Sequence, residues 1–170
     1  MDNITFIGMP GSGKSTVGVL LAKALGYDFL DTDLLIQQRE GRLLQDILDT
    51  EGVDAFLDIE EDVIRSVNCR KTVIAPGGSA VCREGAMEHL KSLGPVVYLR
   101  VPVEELSRRI KNMSSRGIAM EPGQTLSDVF AYRAPLYEGC ADLTVDTCAG
   151  QELGETMLKV RDGLRRMGFN

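Results

Sequence analysis

A glycine-rich loop near the N-terminus constrains the fold of this chain more than any other feature. Residues 8–16 have the sequence GMPGSGKST, which fills every fixed position of the phosphate-binding motif G-x-x-x-x-G-K-[ST]. An apolar run of strand type, residues 4–7, precedes the loop, and a segment with helical spacing of apolar residues, 14–25, follows it. In this order the backbone N–H groups and the helix N-terminus are placed to hold phosphate oxygens. A glycine-rich structural turn is the alternative, and the agreement of motif with context disfavours it.

The side chains of the loop predict a nucleotide site with a metal ion. Lys14 is expected to reach the β- and γ-phosphates, and the Ser15 hydroxyl is expected to bind Mg²⁺. The predicted nucleotide-binding positions of the loop are Gly11, Ser12, Gly13, Lys14, Ser15 and Thr16.

Composition and charge argue against several other classes of protein. The length of 170 residues suits one domain, and we expect residues 1–170 to form it. A net charge of −6 without a basic run argues against nucleic acid as a partner, and no apolar stretch has the length of a membrane span. The 4 cysteines lack C-x-x-C spacing, which favours free thiols in a reducing cytosol over a zinc site. We therefore expect a cytoplasmic protein, acting as a monomer.

Apolar, β-prone runs alternate with helical segments along the whole chain. This alternation predicts an α/β fold, a three-layer sandwich in which helices cover both faces of a parallel sheet. The predicted strands are 4–7, 27–30, 72–75, 96–99 and 143–145. The predicted helices are 14–25, 32–39, 43–49, 51–67, 83–92, 102–112, 124–137 and 151–166.

Two aspartates follow the second predicted strand, at the sheet edge where the phosphate loop also lies. Ligands of open α/β sheets bind beyond the carboxyl ends of the strands. We expect Asp31 to hold Mg²⁺, directly or through water, and Asp33 to orient a substrate hydroxyl or accept its proton. The structural alternative is a helix N-cap formed by Thr32 or Asp33.

Further candidates lie later in the chain. Gly77 and Gly78 follow the third predicted strand, where they either approach a ligand closely or form a tight turn. Glu60 falls within an apolar helical stripe, so we expect it to be held in a buried site as a substrate-binding residue, with a position at the rim that reaches water as the alternative. Residues 111–125 lack periodicity and carry Arg116, which indicates a mobile lid, with an ordinary surface loop as the alternative.

Taken together, these blocks resemble the shikimate kinase family of phosphate-loop proteins over nearly the whole chain. The resemblance is carried by residues 8–16, by LDTD at 30–33, by Phe56 with IEE at 59–61, by Gly77 and Gly78, by Arg116, and by RAPLY at 133–137.

The resemblance implies a five-stranded sheet in the order 2-3-1-4-5 and transfer of the γ-phosphoryl group of ATP, with Mg²⁺, to the 3-hydroxyl of shikimate. It implies that Asp31 supports the metal site and that Asp33 binds the accepting hydroxyl within a substrate-binding helical segment, residues 32–66. By the same resemblance, Arg116 is a catalytic lid arginine, Arg109 stacks on adenine, Arg133 grips the substrate carboxylate, and Gly77 and Gly78 belong to the substrate loop.

The sequence also departs from the family pattern, mainly on the substrate side. Leu57 stands where the family usually has an arginine that binds the substrate carboxylate and pairs with the glutamate at position 60. Ser79 stands where a third glycine is usual. Either another cation, with Arg83 as the candidate, replaces the missing arginine, or the acceptor is a different and less anionic small hydroxylated molecule, one that could carry an amine.

Two other classes of protein remain open at this point. One is a nucleotide-dependent switch with slow hydrolysis, although a switch has no need of Asp33. The other is a relative that has lost substrate binding, for which Leu57 is the best support.

Overall fold

Parallel strands form the centre of the molecule, which is described by a computed structural model. Within the described residues, 2–111 and 116–169, five strands form one sheet in the order β2-β3-β1-β4-β5. The strands are β1 (Ile4–Ile7), β2 (Asp28–Asp31), β3 (Thr72–Ala75), β4 (Val96–Arg100) and β5 (Leu143–Asp146). The predicted sheet order is confirmed. The prediction placed β2 one residue too early, and Asp31 pairs with Ala75 at the end of the strand.

The helices follow the predicted segments closely, with differences at their ends. They are α1 (Lys14–Leu25), α2 (Thr32–Glu40), α3 (Leu44–Arg65), α4 (Glu84–Leu93), α5 (Val103–Arg109), α6 (Leu126–Cys140) and α7 (Leu153–Arg166), with a 3₁₀ turn at Ala80–Cys82. Gly52 interrupts α3 with φ 85° and ψ 174°, which explains why the sequence pattern predicts two helices there. The prediction extended α5 too far, because Ile110 already has extended backbone with φ −99° and ψ 94°.

Helices cover both faces of the sheet, as the alternating pattern predicts. On one face, Ile4 and Phe6 of β1 pack with apolar residues of α1 and α7. On the other face, Ile7 packs with apolar residues of α3, α4, α5 and α6. Successive side chains of a strand point to opposite faces, so the three central strands β1, β3 and β4 are buried on both sides. The result is the predicted three-layer sandwich.

A third apolar cluster lies between α2 and α3, beside the carboxyl ends of the strands. Ile36, Ile47 and Phe56 form its centre, and Leu57 and Ala119 complete it. This cluster fixes α3 next to the sheet edge where the phosphate loop and the loops after β2 and β3 emerge. Among the described residues, no helix is both long and apolar enough to traverse a lipid bilayer.

Candidate active site

A cavity of about 530 Å³ lies at the carboxyl edge of the sheet. Its volume is that of a pocket for a small-molecule ligand. Most of the predicted site residues line it, namely Gly11, Gly13, Lys14, Ser15, Thr16, Asp31, Asp33, Gly77, Gly78, Arg109, Arg116 and Arg133. Ser12 and Glu60 lie behind this lining and are each 1% exposed. The fold therefore brings the candidates from separate parts of the sequence into one place.

The phosphate loop has a backbone shape that depends on its glycines. Gly11 and Gly13 have φ angles of 81° and 94°, which residues with a side chain rarely adopt. Gly13 is the N-cap of α1 and has no side chain, so the first N–H groups of the helix are left free of a side-chain cap. These groups carry the partial positive charge of a helix N-terminus, which suits an anionic ligand.

Lys14 crosses this loop and is almost completely buried. Its Nζ donates hydrogen bonds to the carbonyl oxygens of Gly8 and Met9, both at 2.9 Å. Burial lowers the pKa of Lys14 to about 8, although the nearby charge of Asp33 opposes this shift. An ammonium group held this way is desolvated beforehand, and its attraction to phosphate oxygens is correspondingly strong.

The two predicted metal-binding residues lie next to each other. Ser15 Oγ donates to Asp31 Oδ2 at 3.2 Å, which brings a hydroxyl and a carboxylate oxygen together at the mouth of the phosphate loop. Asp31 Oδ1 also accepts a hydrogen bond from the Asp33 backbone N–H at 2.9 Å and so caps α2. The alternative that Thr32 or Asp33 forms this cap is therefore wrong. Oxygen ligands of this kind suit Mg²⁺, so the residues present fit the metal.

Asp33 projects into the cavity from the first turn of α2. Burial and the negative charge of Asp31 raise the pKa of Asp33 to about 6, while Lys14 acts in the opposite direction. At neutral pH the group is mostly ionised and has a higher proton affinity than an exposed carboxylate. These are the properties of a group that orients a hydroxyl and accepts its proton.

The loop after β3 approaches these charged groups with its glycines. An added Cβ on Gly77 would lie 2.7 Å from both Asp33 Oδ1 and Glu60 Oε2, so a larger residue there would have to displace these carboxylates. A Cβ on Gly78 would lie 2.8 Å from Pro10 Cδ of the phosphate loop. The Tyr137 hydroxyl donates to the Gly78 carbonyl oxygen at 2.5 Å. The loop thus lies close both to the phosphate loop and to the carboxylates of Asp33 and Glu60.

Glu60 is buried rather than located at a solvent-exposed rim. Its Oε1 accepts a hydrogen bond from Ser79 Oγ at 2.6 Å, and its Oε2 has no hydrogen-bond partner among the described residues. Burial raises the pKa of Glu60 to about 7, and the negative charge of Asp33 adds to this effect. The Ser79 hydrogen bond and the charges of Arg133 and Lys14 act in the opposite direction.

The arginines differ in how they are held. Arg133 is 3% exposed and donates to the Ala119 carbonyl oxygen at 2.5 Å. Arg109 pairs with Glu105 Oε1 at 3.0 Å and donates to the Gly11 carbonyl oxygen at 3.3 Å, beside the phosphate loop. Both side chains line the same cavity.

The hypothesis that Arg83 replaces the missing arginine finds no support in the structure. Arg83 pairs with Asp54 at 2.7 Å and with Asp58 at 3.0 Å, and it does not line the cavity. Leu57 is 8% exposed and packs in the apolar cluster between α2 and α3. Buried Arg133 and exposed Arg116 both line the cavity.

The predicted lid, 111–125, is in part firmly packed. Residues 112–115 lie outside the described part of the chain. Gly117 N–H donates to Gln45 Oε1 of α3 at 3.2 Å, and Ile118 and Ala119 are buried. Arg116 is exposed and lines the cavity.

Two contributors to the site were not assigned a role from the sequence. Ser79 was noted only as a departure from the family pattern, yet its hydroxyl is the hydrogen-bond partner of Glu60. Tyr137 was noted only within a motif, yet it holds the Gly78 carbonyl oxygen. Ser79 and Glu60 are 19 positions apart, and Tyr137 and Gly78 are 59 positions apart. The periodicity of a single sequence carries no signal for such pairs. Elsewhere, His89 Nε2 lies 2.7 Å from the Val67 carbonyl oxygen, outside the cavity.

Comparisons with known proteins agree with this geometry. The family model described as shikimate kinase matches residues 10–161. A shikimate kinase of Chlorobium chlorochromatii is 38% identical, with 96% of this chain and 90% of the relative covered. A shikimate kinase of Mycobacterium bovis is 42% identical, with 83% and 81% covered. The structure of a shikimate kinase from Acinetobacter baumannii in complex with shikimate is similar with a TM-score of 0.87 and 32% identity, covering 100% of this chain and 96% of that one. This chain therefore belongs to the shikimate kinase family and is an ATP-using kinase of a small molecule.

Proposed function

We propose that this protein transfers the γ-phosphoryl group of ATP, bound with Mg²⁺, to the 3-hydroxyl of shikimate. The observation that supports this most is the position of Lys14 and Asp33 in one cavity, close enough for each charge to shift the pKa of the other. A phosphate-binding cation and a hydroxyl-binding carboxylate in one pocket are what in-line phosphoryl transfer to an alcohol needs.

On the nucleotide side, the amides of the phosphate loop and Lys14 bind the β- and γ-phosphates. When bound, Mg²⁺ would be held by Ser15 and Asp31 and would neutralise phosphate charge. Gly11, Ser12, Gly13 and Thr16 shape this cradle, and Arg109, which lies over the Gly11 carbonyl oxygen, stacks on the adenine base.

On the acceptor side, Asp33 orients the attacking hydroxyl and accepts its proton late in the transfer. Arg133 binds the acceptor carboxylate, while Gly77 and Gly78 let the acceptor approach the backbone. Glu60 supports this end of the pocket from behind Gly77. Arg116 stabilises the charge that develops on the transferring group when the lid closes.

The same proposal covers the organisation of the chain. Residues 1–170 act as one kinase domain, with residues 111–125 as the lid and residues 32–66 as the substrate-binding helical segment. We further propose that the protein acts as a monomer in the cytoplasm. A concentration-independent mass in analytical ultracentrifugation is the expected result.

A second acceptor class is favoured by the position of Leu57. Its side chain is buried in an apolar cluster and Arg83 is held by Asp54 and Asp58, so neither of them supplies a cation to the cavity in addition to Arg133. A charge-assisted contact contributes about 1.5–3 kcal/mol, so its absence weakens selection for an anionic acceptor. The alternative is therefore a family member that phosphorylates a different, less anionic hydroxylated metabolite.

The test is an ADP-release assay with ATP and Mg²⁺, first with shikimate and then with a panel of polyols, hydroxy acids and amino alcohols. Shikimate is expected to give the highest kcat/KM. A higher kcat/KM for a neutral or amine-bearing acceptor would identify that acceptor, rather than shikimate, as the substrate. ADP release that no acceptor stimulates would contradict the transfer function and favour a nucleotide switch, and no ADP release at all would favour a relative that has lost catalysis.

A further inference from the structure

Glu60 is a buried carboxylate whose hydrogen bonding is incomplete. It lies on α3, three residues after Leu57, and is 1% exposed. Among the described residues, its hydrogen bond is the one from Ser79 Oγ to Oε1, while Oε2 is buried without a partner. A buried carboxylate normally requires a cation or several hydrogen bonds. A single hydroxyl therefore determines the orientation of this group.

The unpartnered oxygen lies where it can affect the reaction. Both Glu60 Oε2 and Asp33 Oδ1 lie 2.7 Å from the position that a Cβ of Gly77 would occupy, so the three residues are in close contact. A rotation of the Glu60 carboxylate therefore changes the space available to Gly77 and to Asp33. Because Ser79 also lines the cavity, its hydroxyl holds Glu60 from the acceptor side.

We propose that Ser79 is a positioning residue, whose hydroxyl fixes the Glu60 carboxylate against Gly77 and so sets where Asp33 meets the acceptor hydroxyl. This inference rests on the proposed transfer to a hydroxylated acceptor and adds a residue that determines acceptor binding. In this chain a neutral hydroxyl, rather than a cation, holds the buried carboxylate.

The charge of Glu60 follows from the same arrangement. The charged groups that face it are Asp33 of α2, Lys14 of α1 and Arg133 of α6. Burial raises its pKa to about 7, and the Ser79 hydrogen bond lowers this pKa. Below that pH the neutral form adds no negative charge near the acceptor. Above it the ionised form attracts Arg133 and repels an anionic acceptor, so the KM for shikimate rises with pH.

The experiment compares wild-type protein with Ser79→Ala and Glu60→Gln. For Ser79→Ala we expect the KM for shikimate to rise about 10-fold or more, and the KM for ATP to change less than about twofold. The KM rise with pH should move to higher pH in Ser79→Ala, because the hydrogen bond that lowers the pKa of Glu60 is lost. In Glu60→Gln this pH dependence should disappear while the amide oxygen keeps the Ser79 contact. Ser66→Ala, which removes a hydroxyl at the end of α3, is the matched control.

A second readout does not depend on turnover. In difference infrared spectra, the carboxylic acid band of Glu60 should titrate near pH 7 in wild type, at higher pH in Ser79→Ala, and be absent in Glu60→Gln. If wild type does not phosphorylate shikimate, the proposed function fails, and the infrared titration still tests the Ser79–Glu60 contact. Equal losses for ATP and shikimate in a folded Ser79→Ala, or an unchanged Glu60 titration in that variant, would overturn the inference.

Discussion

The two ends of the cavity are built in different ways. At the proposed nucleotide end, nine consecutive residues, which form the phosphate loop and the first turn of α1, supply the backbone shape, and Lys14 donates hydrogen bonds to two carbonyl oxygens of the loop. At the acceptor end, Asp33, Glu60, Ser79 and Arg133 come from four separate parts of the chain. The nucleotide end is therefore specified locally, whereas the acceptor end depends on how α2, α3, α6 and the loop after β3 pack together.

This difference explains where the chain departs from its family. A loop whose phosphate contacts come mostly from the backbone tolerates little change, because any new side chain at Gly11 or Gly13 conflicts with a positive φ. At the proposed acceptor end the contacts come from side chains, which can be substituted. Leu57 and Ser79 are two positions there at which this chain differs from the family pattern. The predictions below test whether the two ends are separable in function.

The largest effect is expected at the nucleotide end. Lys14→Ala should lower kcat by about 10³-fold, because it removes the desolvated positive charge that stabilises the phosphate being transferred. The fold should persist, as judged by circular dichroism and thermal unfolding. Lys23→Ala, at the exposed end of the same helix, is the control and should leave kcat unchanged. Turnover close to wild type in Lys14→Ala would contradict the proposed role.

The next effect is expected at the junction of the two ends. Asp33→Asn should lower kcat by about 10²-fold or more, because the amide cannot accept the hydroxyl proton. Affinity for ADP, measured by titration calorimetry, should remain within about twofold of wild type, since Asp33 is assigned to the acceptor. Asp62→Asn, on the exposed face of α3, serves as the control. A loss of ADP binding in Asp33→Asn would show that the two ends are not separable.

A smaller effect should distinguish the arginines at the two ends. Arg133→Met should raise the KM for shikimate by about 10- to 100-fold, because a charge-assisted contact is lost. Arg109→Met should instead raise the KM for ATP and leave the KM for shikimate nearly unchanged. Steady-state kinetics with each substrate varied in turn measures both values. The division of the cavity into two ends is wrong if both variants change the same KM.

The smallest expected effect is a change in activity with pH that depends on one residue from each end of the cavity. Asp33 must be ionised and Lys14 protonated, and their pKa values are about 6 and about 8. The kcat/KM for ATP, measured at saturating shikimate so that the KM change assigned to Glu60 does not enter, should therefore fall below about pH 6 and again above about pH 8. Lys14→Arg should move the alkaline limb to higher pH, because the guanidinium stays protonated. A wild-type profile without the alkaline limb would contradict the assignment of Lys14.

The sequence predicts the locally specified features of this protein better than the contacts that depend on tertiary packing. The strand order, the helices around the sheet and the position of Lys14 follow from apolar periodicity, one motif and a family resemblance. The burial of Glu60 could be suspected from its place in an apolar stripe. Its contact with Ser79 could not be predicted, because it depends on the packing of the β3 loop against α3. Likewise, the engagement of Arg83 by Asp54 and Asp58 depends on tertiary contacts, and the suggestion that Arg83 binds substrate is not supported.

The most direct test of the account is product analysis by phosphorus nuclear magnetic resonance after incubation with ATP, Mg²⁺ and shikimate. We expect ADP together with a phosphate monoester whose phosphorus couples to the proton on the carbon bearing the 3-hydroxyl. The appearance of inorganic phosphate alone, or of unchanged ATP, would contradict the central claim that Lys14 and Asp33 align the terminal phosphate with an acceptor hydroxyl.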